Sequence, residues 1–155
     1  MTIEEALRRE RLRTLRLDPP VSVPSGTPLG ESLKVMREAG GAALLVLREG
    51  RTIGIFTERD VLNKLFPGCV DESLPIDRFM TPDPASLTLD ATLGEAVRLM
   101  TEHGYRNVPL QDGEGRSAGL LSARDVVQYV AEHFPTEVAN LPPGLSQSFA
   151  TKEGA

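Results

Sequence analysis

The chain repeats itself, and that constrains its fold more than any other feature. Leu29-Gly30-Glu31 returns as Leu93-Gly94-Glu95, Met36 as Met100, Gly40 as Gly104 and Ser22 as Ser86, each pair 64 residues apart. A one-residue insertion in the second copy then moves the offset to 65. From there Gly50-Arg51 matches Gly115-Arg116, and Gly54, Arg59, Asp60 and Val61 match Gly119, Arg124, Asp125 and Val126. This many matches with a single gap indicates an internal duplication. Each copy is small enough to be marginal alone. Two copies packed sheet on sheet about a pseudo-two-fold axis would bury their apolar faces and leave clefts where they meet.

Each copy reads β-α-β-β-α, so the fold class is α+β. In the first copy a strand is expected at 21–23, followed by a helix opened by Thr27-Pro28 and closed by Gly40-Gly41. The apolar run 42–47 is a strand buried on both faces. A turn at 49–51, a strand at 52–56 and a helix at 58–66 complete the copy. The second copy gives a strand at 85–87, then a helix at 93–103 with the capping box Thr92-x-x-Glu95. Strands at 107–110 and 117–121, joined by an Asp112-Gly113 turn, lead to a helix at 123–133. Outside the copies, Thr2-x-x-Glu5 opens a helix expected to run to about residue 15, with Ile3, Leu7, Leu12 and Leu15 on its apolar side. The expected organisation is an N-terminal helix (1–17), repeat 1 (18–68), a polar linker (69–79), repeat 2 (80–134) and an extension (135–155) with a short helix at 135–141.

The chemistry concentrates in one motif present twice: Gly54-Ile55-Phe56-Thr57-Glu58-Arg59-Asp60 and Gly119-Leu120-Leu121-Ser122-Ala123-Arg124-Asp125. Each runs from a buried strand into a helix. A helix start offers unpaired N–H groups and partial positive charge, which suit a phosphate. The hydroxyl of Thr57 or Ser122 can donate to the same anion, and the carboxylate of Asp60 or Asp125 can accept from a sugar diol. The same pattern, Thr/Ser-x-x-Asp, is also a capping box with no ligand role. Arg59 and Arg124 sit in the first helical turn, against the helix dipole, which a visiting anion would explain.

Composition removes several function classes. The formal charge is −5 and there is no Trp, which argues against nucleic acid as an electrostatic or stacking partner. No apolar run has the length of a membrane span, and the charged N-terminus does not resemble a signal segment. Cys69 is the sole cysteine, so neither a disulfide nor a Cys-based zinc site forms within one chain. A cytoplasmic protein is expected. His103 and His133 sit at helix ends, and no acid–base pair or nucleophile set emerges, so neither an enzyme nor a metal site is expected.

The repeat resembles a tandem pair of cystathionine-β-synthase (CBS) domains, a Bateman module. The residues that carry the resemblance are the Gly-hydrophobic-x-Thr/Ser-x-x-Asp motif in both copies, Leu-Gly-Glu ahead of a helical Met, and Met80-Thr81 at the start of the second copy. It implies a stand-alone regulatory module with an adenine nucleotide such as AMP, ADP or ATP, or a related adenosyl ligand, in the cleft between repeats, and no catalytic cofactor. The second-unit site would use Thr81, Ser86, Arg106, Asn107, Val108, Pro109, Ser122, Arg124 and Asp125. The first would use Ser22, Ala42, Ala43, Leu44, Thr57, Arg59 and Asp60. Arg16-Leu17 stands where the second copy has Met-Thr, so the second site is expected to fill first. The resemblance also implies a homodimer and an effector protein encoded elsewhere. The rival is a ligand-free dimerisation or docking scaffold.

Overall fold

The computed structural model describes residues 1–66 and 68–135. The extension expected from 135 therefore lies, apart from Pro135, outside the described residues.

Two sheets carry the two units. In the first, β1 (Ser22–Pro24) runs parallel to β2 (Ala43–Arg48), which pairs antiparallel with β3 (Arg51–Thr57). A parallel pair needs a crossover, and α2 (Leu29–Ala39) supplies it. In the second, β5 (Leu87–Thr88), β6 (Asn107–Gln111) and β7 (Ser117–Ser122) repeat the arrangement around α4 (Leu93–His103). The duplication extends to irregularities: the register slips between Val46 and Leu47 in one hairpin and between Leu110 and Gln111, 64 residues on, in the other.

The hairpin turns differ. Glu49 and Gly50 have φ of 53° and 78°, a two-residue turn of the kind that matches strand twist. The tight Asp112-Gly113 turn expected in the second unit does not form. The extra residue there makes a four-residue turn, in which the Gly115 amide donates to the Asp112 carbonyl at 3.1 Å. The Asp112 carboxylate accepts from the amides of Glu114 and Arg116 at 2.8 and 3.0 Å. Gly115, at φ 80°, takes the left-handed position. The two turns meet: the Ser117 amide donates to the Gly50 carbonyl at 2.8 Å.

Strand alternation divides the core. Leu44, Val46 and Phe56 face α2 with Leu29, Met36 and Ile76, whereas Ala43, Leu45 and Ile55 face the other way and pack with Leu120 of the second unit. Residues 43–46 of the expected 42–47 strand are thus buried on both faces, whereas Ala42 is exposed and Leu47 half-buried. The second core holds Leu93, Met100, Val108, Leu121 and Val126, and also Leu12 from the N-terminal segment.

The position of Leu12 follows from an exchange of arms. α1 (Ile3–Arg9) ends six residues short of the expected position, because Glu10 turns extended. The Glu10 carbonyl then accepts from Leu93 N at 2.8 Å, and Leu12 N donates to the Ala91 carbonyl at 2.9 Å. Leu12–Thr14 forms a single 3-10 turn. The linker does the same to the first unit, 64 residues on. Leu29 N donates to the Leu74 carbonyl at 2.8 Å, Ile76 N to the Thr27 carbonyl at 2.7 Å, and Ile76–Arg78 is a 3-10 turn. The segment leading into each unit is therefore docked on the other. Even the polar clamp beside each turn is matched, with the charges changed. Arg13 donates to Asp90 at 2.6 and 2.9 Å, while at the equivalent place Asp77 accepts from Ser25 and from the Gly26 amide.

The helices after the motifs also differ. α5 (Ala123–His133) is regular. The helix expected at 58–66 is instead a short α3 (Glu58–Asp60) continued by a π-helical turn at Val61–Leu65. Among the described residues no helix is long and apolar enough to cross a membrane.

Candidate functional site

β7 delivers the second motif to the start of α5. Ser122 pairs with Asn107 across the hairpin, and the Ala123 amide donates to the Arg106 carbonyl at 2.8 Å, which ties the helix start to the chain ahead of β6. The capping box is complete. Asp125 Oδ2 accepts from the Ser122 amide at 2.7 Å and from Ser122 Oγ at 2.9 Å, and the Asp125 amide donates to Ser122 Oγ at 3.1 Å. Both side-chain hydrogen bonds of Asp125 fall on Oδ2, and Oδ1 has no hydrogen-bond partner among the described residues. One carboxylate oxygen thus fixes the side chain, and the other is left to accept.

A cavity of about 680 Å³ adjoins it, within the size range of small-molecule sites. α5 lines one side with Asp125, Gln128, Tyr129, Glu132 and His133, spaced as one helical face. The exchanged N-terminal arm lines the other with Thr14, Leu15, Arg16 and Leu17. The rings of Tyr129 and His133 stack with centroids 4.2 Å apart. Burial and the nearby Glu10 charge push the Tyr129 hydroxyl above its usual pKa, so at neutral pH it is a hydrogen-bonding phenol.

The first motif has the same box and different surroundings. Asp60 Oδ2 accepts from the Thr57 amide at 2.9 Å and Thr57 Oγ1 at 3.2 Å, and the Glu58 amide donates to the Ala42 carbonyl at 3.1 Å. Here the other oxygen is taken: Lys64 Nζ lies 3.0 Å from Asp60 Oδ1 and donates to the Phe79 carbonyl at 2.6 Å. Asp60 is only 7% exposed.

The arms redistribute the expected site residues. Thr81, grouped from the sequence with Ser122 and Asp125, sits in β4 (Thr81–Pro82) opposite Ile55, on the edge of the first sheet. Met80 fills the space beside Gly54, where a Cβ would collide with its sulfur. Arg16-Leu17, grouped with the first motif, lies instead beside the second, Leu17 packing near Gly119. The physical reason is the exchange: each lead-in arm covers the partner unit's last strand. Ser86 also stands apart from Asp125. Its Oγ donates to the Pro84 carbonyl at 3.1 Å, and it borders a separate open groove of about 510 Å³ with Arg11 and Asp90.

The remaining residues hold the places their repeat predicts. Asn107, Val108 and Pro109 lie in β6 opposite Ser122, Leu121 and Leu120, with Val108 and Pro109 buried. Ala43 and Leu44 lie in β2 opposite Thr57 and Phe56, with Ala42 just ahead. Ser22 is exposed in β1, and Arg59 and Arg124 are exposed in the first turns of their helices. Sequence reasoning missed Leu15, Tyr129 and Lys64. The signal for the arm was present, since Leu12 and Ile76 keep the 64-residue offset. The signal for Lys64 and Tyr129 was their position, four residues past each Asp.

The fold and site define a duplicated α+β module with exchanged arms and a pocket lined on one side by the N-terminal arm. The family model described as the CBS domain matches it twice, over residues 12–67 and 76–132, and the chain belongs to that family as a tandem pair. An uncharacterized 33.4 kDa protein of Thermofilum pendens is 32% identical over 130 residues, 83% of this chain and 42% of that protein. The chain spans between about two fifths and three fifths of the curated relatives it first matches. Among solved structures, a putative signal-transduction protein with CBS domains from Burkholderia ambifaria is 28% identical with a TM-score of 0.66, covering 86% of this chain and 96% of that one. The cytosolic domain of the Mg2+ channel MgtE, solved in complex with ATP, is 26% identical with a TM-score of 0.66, covering 81% and 52%.

Proposed function

We propose that this CBS pair is a regulatory, non-catalytic module that binds an adenosyl ligand, an adenine nucleotide or a close relative, at Asp125. The observation that carries the reading is the divided carboxylate: Oδ2 is held by Ser122, and Oδ1 is unengaged among the described residues beside a ligand-sized cavity. An ionised carboxylate fixed this way suits a ribose diol, while the amides and hydroxyl at the helix start suit a phosphate. The ATP complex of the MgtE cytosolic domain supports the ligand class. The module then passes its ligand state to an effector protein.

The test is thermal melting with and without AMP, ADP, ATP, NAD and S-adenosylmethionine. A ligand at 100 times its dissociation constant adds about 2.7 kcal/mol of stability. Asp125→Ala is expected to weaken binding about tenfold to a hundredfold. If none of the five raises the melting temperature, the adenosyl reading is lost.

A second reading has its own observation. Leu62 and Val127, which are equivalent in the repeat, and Phe66 are 63%, 44% and 66% exposed on the helices that follow the motifs. We propose that these apolar side chains join two copies in an isologous homodimer. Light scattering at micromolar concentration should give twice the chain mass, and Leu62→Glu should halve it. A monomer in the unaltered protein would sink this reading and leave the ligand reading standing.

A further inference from the structure

We infer that the residue four positions after each motif aspartate, Lys64 in the first unit and Tyr129 in the second, sets the charge of the adenosyl ligand that motif accepts. The first motif takes phosphorylated ligands and the second also takes ligands without phosphate. The inference rests on the adenosyl reading above and assigns a ligand class to each motif.

Residues four apart share a helix face, so the side chain at this position meets whatever reaches the carboxylate. In the first unit that side chain is already there. Lys64 Nζ is 3.0 Å from Asp60 Oδ1 and 2.6 Å from the Phe79 carbonyl, while Thr57 holds Oδ2. A ribose diol arriving alone must share or displace an ammonium group at a carboxylate that is 7% exposed, where an unpaired charge is poorly solvated. A phosphate on the same ligand reverses the balance, because it gives Lys64 an anion in exchange for Asp60; Arg59 and Arg124 hold equivalent places before the two aspartates and do not distinguish the units. A nucleoside offers no such exchange.

In the second unit the position holds an uncharged ring. Tyr129 stacks on His133 and leaves Asp125 Oδ1 unengaged among the described residues. The diol therefore displaces nothing. Among the described residues, the carboxylates lining this cavity are those of Glu10, Asp125 and Glu132, and the guanidinium is that of Arg16. No ammonium group has to exchange one anion for another here, so a nucleoside binds without a phosphate, although the amides at the helix start still suit one.

The test is a calorimetric titration with adenosine and AMP. In an Asp125→Ala protein, which leaves the first motif as the site, AMP should bind at least about tenfold more tightly than adenosine. Adding Lys64→Tyr should narrow that ratio about tenfold. In the otherwise unaltered chain, Tyr129→Lys should weaken adenosine at the second motif about tenfold and leave AMP less affected. Equal binding of adenosine and AMP to the Asp125→Ala protein overturns the inference, as does a ratio that Lys64→Tyr leaves unchanged. Tyr129→Lys probes the same position on a regular helix, so an adenosine-to-AMP ratio it does not move overturns the inference even if Lys64→Tyr fails to fold. Failure of adenosine, AMP and ATP alike to bind the unaltered chain defeats the adenosyl reading itself. Binding with the wrong ratio defeats only the assignment made here.

Discussion

The two motifs are copies in sequence and unlike in circumstance. Both end a strand beyond an equivalent bulge, both close a capping box, and both take a backbone hydrogen bond from the helix start to the chain ahead of the middle strand. Yet Asp60 is nearly buried and paired with Lys64 at the start of a π-helical turn, whereas Asp125 opens a regular helix beside a cavity. Duplication preserves what the local chain dictates. It leaves free what each copy meets across the boundary, and there the copies have diverged. A motif match therefore establishes backbone geometry, while the residue one helical turn away decides whether the motif is available.

The comparison is tested most strongly at the arms. Leu12 and Ile76 are equivalent, each fully buried in the unit it does not precede. Leu12→Ala and Ile76→Ala should each cost about 2–5 kcal/mol in denaturant unfolding, and by similar amounts. A cost under about 1 kcal/mol for Leu12→Ala alone would mean that only the linker arm is integral to the fold.

Next come two equivalent glycines. A Cβ on Gly94 would lie 2.7 Å from the backbone carbonyl oxygen of Leu7, which cannot move without undocking α1, so Gly94→Ala should destabilise by about 1–3 kcal/mol. A Cβ on Gly30 would lie 3.3 Å from Glu72 Cβ and 3.6 Å from the Glu72 carbonyl oxygen, a looser fit, and Ala is the better helix former by about 1 kcal/mol, so Gly30→Ala should be close to neutral. Equal effects would erase this difference between the units.

The motif aspartates should differ by less. Asp125→Ala removes the N3 carboxylate of the capping box, a favourable charge at the helix N-terminus worth about 0.3–1 kcal/mol. Asp60→Ala removes the equivalent N3 carboxylate and also strands Lys64, so it should cost about 1 kcal/mol more. Chemical denaturation of both variants without ligand measures the difference. An Asp125→Ala cost equal to or above that of Asp60→Ala would contradict the pairing.

The smallest effect concerns pH. Burial pushes the Asp77 carboxyl up, but hydrogen bonds from Ser25 and the Gly26 amide, with the Arg48 charge, outweigh it and hold the group below its usual value. A lowered carboxylate stabilises the fold fully above its unfolded pKa, and that contribution is lost as pH falls through the folded value. Acidification below the ordinary carboxylate range should therefore loosen the linker arm, and Asp77→Asn should flatten that acid limb. An unchanged acid limb in melting scans of the variant would show that Asp77 does not clamp the arm.

Much of this architecture is legible in the order of the residues. The 64- and 65-residue offsets locate two β-α-β-β-α units, the apolar run at 42–47 predicts a strand buried on both faces, and Thr57, Asp60, Ser122 and Asp125 mark helix starts where the structure has them. These readings succeed because periodicity, capping and turn chemistry act between residues a few positions apart, where sequence distance and spatial distance agree. The arms lie outside that range. Residues 10–17 and 74–81 have no long period of their own, and their polar groups find partners on the other unit, 79 residues away for Arg11 and Asp90. Helix propensity alone would carry α1 to residue 15. The hydrogen bonds to Ala91 and Leu93 and the socket for Leu12 outweigh it, and they exist only once the second unit has folded. In the same way the sequence names two carboxylates, but only the packed structure decides that Lys64 occupies one and that the N-terminal arm builds a cavity beside the other.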